Sequence, residues 1–117
     1  MTKATEIIRR LDLLFARWKS ERHFPDGHCH AVSLDVAKYG FPRVRGRFRL
    51  DAAMSGDGEL NECHDWNIDN EGQIIDLTAA QFNSGLREEN RVPLGILVIA
   101  STDPLSARYI PSDFQIR

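Results

Sequence analysis

Residues 63–77 read Cys63-His64-Asp65-Trp66-Asn67-Ile68-Asp69-Asn70-Glu71-Gly72-Gln73-Ile74-Ile75-Asp76-Leu77, and the way this stretch pairs with itself decides the fold. His64, Trp66 and Ile68 alternate with Cys63, Asp65 and Asn67. A polar run then ends in Gly72, and an apolar segment follows, which is the pattern of a β-hairpin. A three-residue loop, Asn70-Glu71-Gly72, with Gly72 left-handed, sets Asp76 opposite Trp66 and diagonal to His64 on the same face. A four-residue loop without a bulge puts His64 and Asp76 on opposite faces. We take the first register.

Upstream, residues 43–50 alternate cleanly, with Arg43, Arg45, Arg47 and Arg49 on one side and Val44, Gly46, Phe48 and Leu50 on the other. This is a strand with one wet face. From Cys29 to Tyr39, the positions Cys29, Val32, Ser33, Val36 and Ala37 share one helical face, and Gly40 and Pro42 close the segment. Residues 5–19 form an amphipathic helix through Ile7, Ile8, Leu11, Leu14, Phe15 and Trp18, capped by Thr2 or Thr5. The stretch Ser20 to Gly27 is a loop, and 52–59, with Gly56, Asp57 and Gly58, is a mobile one.

Downstream, Thr78 caps a short helix over 79–83, and residues 84–91 are a charged loop. The apolar run Leu94 to Ala100 reads as a buried central strand, and Tyr109 and Ile110 as a last strand before Pro111. The economical assembly is α+β, with one helical layer on an antiparallel sheet.

The chain's 117 residues suit one domain over 1–117, large enough to bury a core without staples. Fifteen Lys and Arg stand against 17 Asp and Glu, a balance that argues against a dedicated nucleic-acid binder. Two cysteines are too few for a secreted disulfide framework, so reduced thiols and a cytoplasmic setting are expected. The N-terminus lacks the apolar core of a signal peptide, and Leu94 to Ala100 is far short of a membrane span.

Cys29 sits directly after Asp26-Gly27-His28 and opens a helix, where unpaired amides and the positive dipole end favour a thiolate. A thiol becomes a strong nucleophile once ionised, and an imidazole backed by a carboxylate is the usual means of ionising it. The chain order Cys29, His64, Asp76 therefore points to a cysteine enzyme. Taken alone, Cys29 reads as a small buried side chain, His64 as a core histidine and Asp76 as a turn cap or an arginine's partner. Taken together, they read as a triad.

Gly27-x-Cys29 opening a helix, the x-His-x-Trp stretch at Cys63 to Trp66, and Ile74-Ile75-Asp76-Leu77-Thr78-Ala79-Ala80-Gln81-Phe82 together resemble the papain-like, transglutaminase-like superfamily. In particular the chain resembles small bacterial and phage members whose hairpin carries a His-x-Trp strand and then an Ile-Asp-x-Thr-x-x-Gln-Phe strand. The resemblance spans roughly residues 25–83. It implies a nucleophile-bearing helix packed on the sheet, with Cys29 as nucleophile, His64 as general base and acid, and Asp76 orienting the imidazole. It also implies an oxyanion held by the Cys29 amide and a second donor upstream, where His23 and His28 lie. Trp66 itself reads as core packing beside the triad, or in a functional version as a shield that keeps water from His64. Two departures from the pattern stand out: His28 and His30 flank the nucleophile, and Asp65 replaces the apolar residue between His and Trp.

The expected chemistry is acyl transfer or hydrolysis at an amide, by deamidation, transamidation or proteolysis, on a protein or peptide substrate and without a cofactor. The short chain favours a single side chain or isopeptide end over an extended peptide. Two rival readings use the same residues. A binding or inhibitory module would use the face of Arg43, Arg45, Arg47 and Arg49 as its contact surface. A zinc site could draw on His28, Cys29, His30, Cys63 and His64, but their spacing is poor and no metal is expected.

Overall fold

In the computed structural model, which describes residues 2–54 and 60–116, apolar positions at helical spacing build α1 over Lys3–Lys19. Thr2 caps it, its side-chain oxygen accepting from the Thr5 amide. Ile7, Leu11 and Leu14 are buried, but Ile8 turns outward with 39 % exposure. The second helix, α2, spans Cys29–Ala37 and buries Val32, Ser33 and Val36. It stops short of the expected Tyr39 because the amides of Lys38, Tyr39 and Gly40 bond three residues back, and Gly40 leaves at φ 94°. Trp18 Nε1 donates to Asp35 Oδ2 at 3.0 Å and fastens α1 to α2.

Five strands follow: β1 (Arg43–Arg49), β2 (Asn61–Ile68), β3 (Ile74–Asp76), β4 (Leu97–Ile99) and β5 (Tyr109–Ile116). They form an antiparallel sheet in the order β4-β3-β2-β1-β5. One face packs Ile75 and Leu77 against Ile7, Leu11 and Leu14 of α1 and Val32 and Val36 of α2. The other packs Val44, Phe48, Trp66 and Ile74 against Phe82 and Leu86, in and just after a 3-10 segment, Ala79–Gly85. The class is thus α+β with helices on an antiparallel sheet, the second face being closed by short 3-10 segments.

The hairpin has the three-residue register. Ile68 pairs with Ile74 and Asn67 with Ile75, and one step further sets Asp76 opposite Trp66. Gly72 takes φ 81°, its amide bonding the Asp69 carbonyl at 3.2 Å, while Asp69 Oδ1 accepts from the amides of Glu71 and Gln73. An L-residue other than glycine is strained at that φ. One glycine therefore sets the face on which Asp76 emerges.

Three expectations are corrected. The run Leu94 to Ala100 is an edge strand of three residues, with Leu94 46 % exposed, not a buried central strand. Its apolar character comes from layers above and below: Ile96 and Val98 pack towards the helices, and Leu97 packs with Ile99 on the opposite side. Thr78 makes no side-chain cap, because its hydroxyl is committed elsewhere. The last strand continues past Pro111, which an edge position tolerates. Of the loop expected over 52–59, residues 55–59 lie outside the described residues.

The expected charged loop over 84–91 holds a short 3-10 turn, Glu88–Asn90. Asp51 clamps it by accepting from Asn90 Nδ2, the Arg87 amide and Arg108 Nη2, and these bonds hold its carboxyl well below the usual carboxylate range. Among the described residues no helix is long and apolar enough to cross a membrane.

Candidate active site

Alternation along β2 sends His64, with Trp66, to the sheet face that also holds Val44 and Phe48, and Asp76 arrives there from β3. Both are buried, His64 at 1 % and Asp76 at 2 % exposure. His64 Nε2 lies 2.7 Å from Asp76 Oδ2. A carboxylate can only accept, so Nε2 carries the proton in this bond.

Every side of the Asp76 carboxylate is engaged. Oδ2 also accepts from the Tyr109 hydroxyl at 2.7 Å, and Oδ1 accepts from the Thr78 amide at 2.9 Å and the Thr78 hydroxyl at 3.1 Å. Burial pushes this carboxyl up, but the His64 charge, the His64 hydrogen bond and the Thr78 and Tyr109 donors outweigh it, and the net direction is down. Burial likewise opposes a charged His64, yet Asp76 and, after it, Cys29 prevail and raise the imidazole to about 9. The Tyr109 hydroxyl is pushed well above its usual value, first by burial and then by Asp76. The interior thus holds an ion pair compensated by hydrogen bonds, the condition under which a buried pair is tolerated.

Aromatic rings complete the enclosure. Phe82, Trp66, Tyr109 and Phe48 lie 4.8, 5.7, 5.9 and 6.0 Å from the imidazole, centroid to centroid. Trp66 is thus a core residue packed beside His64.

The other ring nitrogen, Nδ1, is buried and has no hydrogen-bond partner among the described residues. The neighbour that acts on the ring besides Asp76 is the Cys29 thiol. Cys29 is half-buried, and its Sγ also lies 4.0 Å from Asp65 Oδ2. His64 and Asp65 leave β2 on opposite faces, so a group beside both approaches along the strand's edge. On one edge β1 pairs with both residues. On the other, the ladder with β3 stops at Asn67. Asp76 from β3 and Cys29 from α2 thus both favour the charged form of His64 on β2.

A second polar cluster adjoins the thiol. Asp65 Oδ1 accepts from Arg45 Nε at 3.0 Å, with Arg43 Nη1 at 3.8 Å. His30 Nδ1 lies 3.0 Å from both Arg43 Nη1 and Arg45 Nη2, and guanidinium groups can only donate, so this nitrogen is the acceptor. Asp65 Oδ2 lies 3.6 Å from the same nitrogen. The first turn of α2 is thus tied to β1 and β2. Farther along the helix, Asn67 Nδ2 donates to the carbonyls of Ser33 and Phe41 at 3.0 and 2.9 Å.

The remaining expected residues are placed differently. His23 is exposed at φ 67°, and its side chain makes no hydrogen bond among the described residues. His28 is the N-cap of α2 but gives no side-chain cap. Its Nδ1 faces the Asp26 carbonyl oxygen at 2.8 Å, and its ring packs 5.7 Å from both Trp18 and Phe24. Neither histidine makes a hydrogen bond to Cys29 or His64. Arg47 and Arg49 are exposed on the arginine face, and Cys63 is exposed opposite Arg47. Among the described residues no group of three His, Cys, Asp or Glu is placed to hold a metal ion.

Compared with protein families, curated proteins and solved structures, the chain matches none. The arrangement therefore stands on its own geometry. Tyr109 is the member that sequence reasoning missed. It lies 33 positions from Asp76 on a different strand, and nothing local to it in the sequence distinguishes it from a core tyrosine.

Proposed function

We propose that the protein is a cysteine-dependent enzyme of amide chemistry, working through Cys29, His64 and Asp76 on a papain-like, transglutaminase-like core. The single observation behind this reading is the state of His64. Its ring is gripped at Nε2 by a fully engaged buried carboxylate, its buried Nδ1 has no hydrogen-bond partner among the described residues, and the Cys29 thiol adds to the rise in its proton affinity. A core histidine kept only for packing has no need of these features.

In this reading the Cys29 thiol gives its proton to His64 Nδ1, and Asp76 stabilises the imidazolium that results. The thiolate adds to an amide carbonyl, and the oxyanion is held by first-turn amides of α2, which His28 leaves uncapped. As the C–N bond breaks, His64 returns the proton to the departing ammonia or amine, leaving a thioester on Cys29. Water attacks that thioester in hydrolysis, and a second amine does so in transamidation.

The test is acylation by a p-nitrophenyl ester, read by intact mass and peptide mapping. Wild type and Cys63→Ser should gain one acyl group on Cys29, and Cys29→Ala none at that position. A second measurement is the rate of iodoacetamide labelling at about pH 6, where a free thiol of pKa about 8.5 is almost entirely protonated. Labelling of Cys29 no faster than that of a free thiol would defeat the proposal.

A further inference from the structure

The arginines of β1 fall into two pairs. Arg43 and Arg45 are engaged by Asp65 and His30 beside Cys29. Arg47 and Arg49 continue the same face and are exposed. Their partners across the β2 ladder are Cys63 and Asn61, and the residue opposite Arg47 on β5 is Ile110. No carboxylate stands at any of these cross-strand positions. Arg47, Arg45 and Cys63 line one side of a cleft of about 260 Å³, and Ile110 and Pro111 line the other. At its Arg45 end Asp65 links the cleft to the Cys29 thiol, with Oδ1 3.0 Å from Arg45 Nε and Oδ2 4.0 Å from Sγ.

We propose that this cleft and the Arg47–Arg49 strip bind an acidic segment of a polypeptide substrate, so that the reacting amide side chain reaches Cys29 with an Asp or Glu neighbour on the arginines. The inference rests on the triad reading and adds the substrate class. Guanidinium groups receive carboxylates in paired hydrogen bonds, and an apolar wall beside them accommodates the stem of the side chain. The cleft has the volume of a short side-chain segment, and the chain's net charge of −2 does not suit a nucleic-acid backbone.

The experiment uses the full chain with Cys63→Ser, so that Cys29 is the reporting thiol. Its alkylation rates with iodoacetate and iodoacetamide are compared at about 0.01 M salt, where the screening length is about 30 Å. The anion-to-neutral ratio is then divided by that of free cysteine. Arg47 lies two residues along the strand from Arg45, about 7 Å, and a unit charge about 10 Å away in water changes a rate about twofold. Arg49, farther off, adds less, so a ratio two- to threefold above the reference is expected. It should fall to the reference in Arg47→Gln with Arg49→Gln, and below it in Arg47→Glu with Arg49→Glu. Polyglutamate should slow iodoacetamide labelling of Cys29, and the glutamine variant should lose this protection. A ratio that ignores both double variants overturns the proposal, as does protection by polyuridylate but not by polyglutamate. If neither reagent labels Cys29 faster than free cysteine, the triad reading itself has failed and this one falls with it.

Discussion

Replacing Asp76 by Asn changes one oxygen into an amide nitrogen and tests most of the site at once. The raised imidazole, from 6.5 to about 9, measures how strongly the folded protein prefers the protonated ring. At about 1.4 kcal/mol per tenfold change in proton affinity, the preference is on the order of 3 kcal/mol. That is the low end of what breaking a buried pair costs, as expected where the ring can shed its proton once the carboxylate is gone. An asparagine that keeps Oδ1 towards the two Thr78 donors turns its NH2 towards His64 and Tyr109. Nε2 must then accept, the ring proton moves to Nδ1, and the ring can no longer take a proton from Cys29. The opposite flip sets donors against donors at Thr78.

The expected outcome is a loss of stability on the order of 3 kcal/mol at about pH 6, with acyl transfer reduced on the order of 10³- to 10⁴-fold. The pH dependence carries a sign. His64 is raised in the folded state, so its contribution is complete below about pH 6.5 and is lost as pH rises through about 9. Asp76 is lowered, so its contribution is present above about pH 4 and is lost as pH falls through the folded value. Urea unfolding of wild type and variant across pH should therefore show a difference that peaks between about pH 4 and 6.5 and shrinks towards pH 9. A difference that stays flat from about pH 6 to 10, or an unchanged pH profile of Cys29 labelling, would refute the ion pair.

Three further perturbations probe the frame. Tyr109→Phe removes a 2.7 Å bond to a buried carboxylate and should cost about 2 kcal/mol in urea unfolding, with the acid limb of the stability profile moved to higher pH; an unshifted acid limb counts against the bond. Gly46→Ala places a Cβ into the Ile110 carbonyl oxygen and 2.8 Å from both Pro111 Cα and the Trp66 ring, so β5 must shift, at a cost of about 1–3 kcal/mol; amide exchange in β5 should accelerate, and wild-type protection there would contradict the packing. Gly72→Ala meets nothing within 4 Å and acts through φ 81° alone, so a loss of about 1–2 kcal/mol with a normal Cys29 labelling rate is expected; a stabilised variant would mean that the turn does not hold this register.

The hairpin register was legible in the sequence because a period of two and one glycine admit few pairings, and His64 and Asp76 followed from it. The helices were legible from their apolar stripes. What escaped notice depended on the third dimension. Tyr109 reaches Asp76 only because β5 closes the sheet beside β1. The β4 run looked central because it is apolar on both sides, whereas sheet order depends on which edge finds a partner. Thr78 looked like a cap because capping is local, yet its hydroxyl serves a carboxylate two residues back.

The flanking histidine and the unexpected aspartate, His30 and Asp65, meet in a single cluster: His30 Nδ1 lies 3.6 Å from Asp65 Oδ2, and both engage Arg45. Positions 64 and 66 of β2 face the aromatic enclosure, while 65 and 67 face α2 and the arginines. An apolar residue at 65 would leave the Arg43 and Arg45 guanidinium groups without their carboxylate at the start of α2. A polar anchor there holds the first turn of α2, with the Cys29 thiol 4.0 Å from Asp65 Oδ2. The flanking histidine and the unexpected aspartate thus belong to one cluster, which ties the first turn of α2 to β1 and β2.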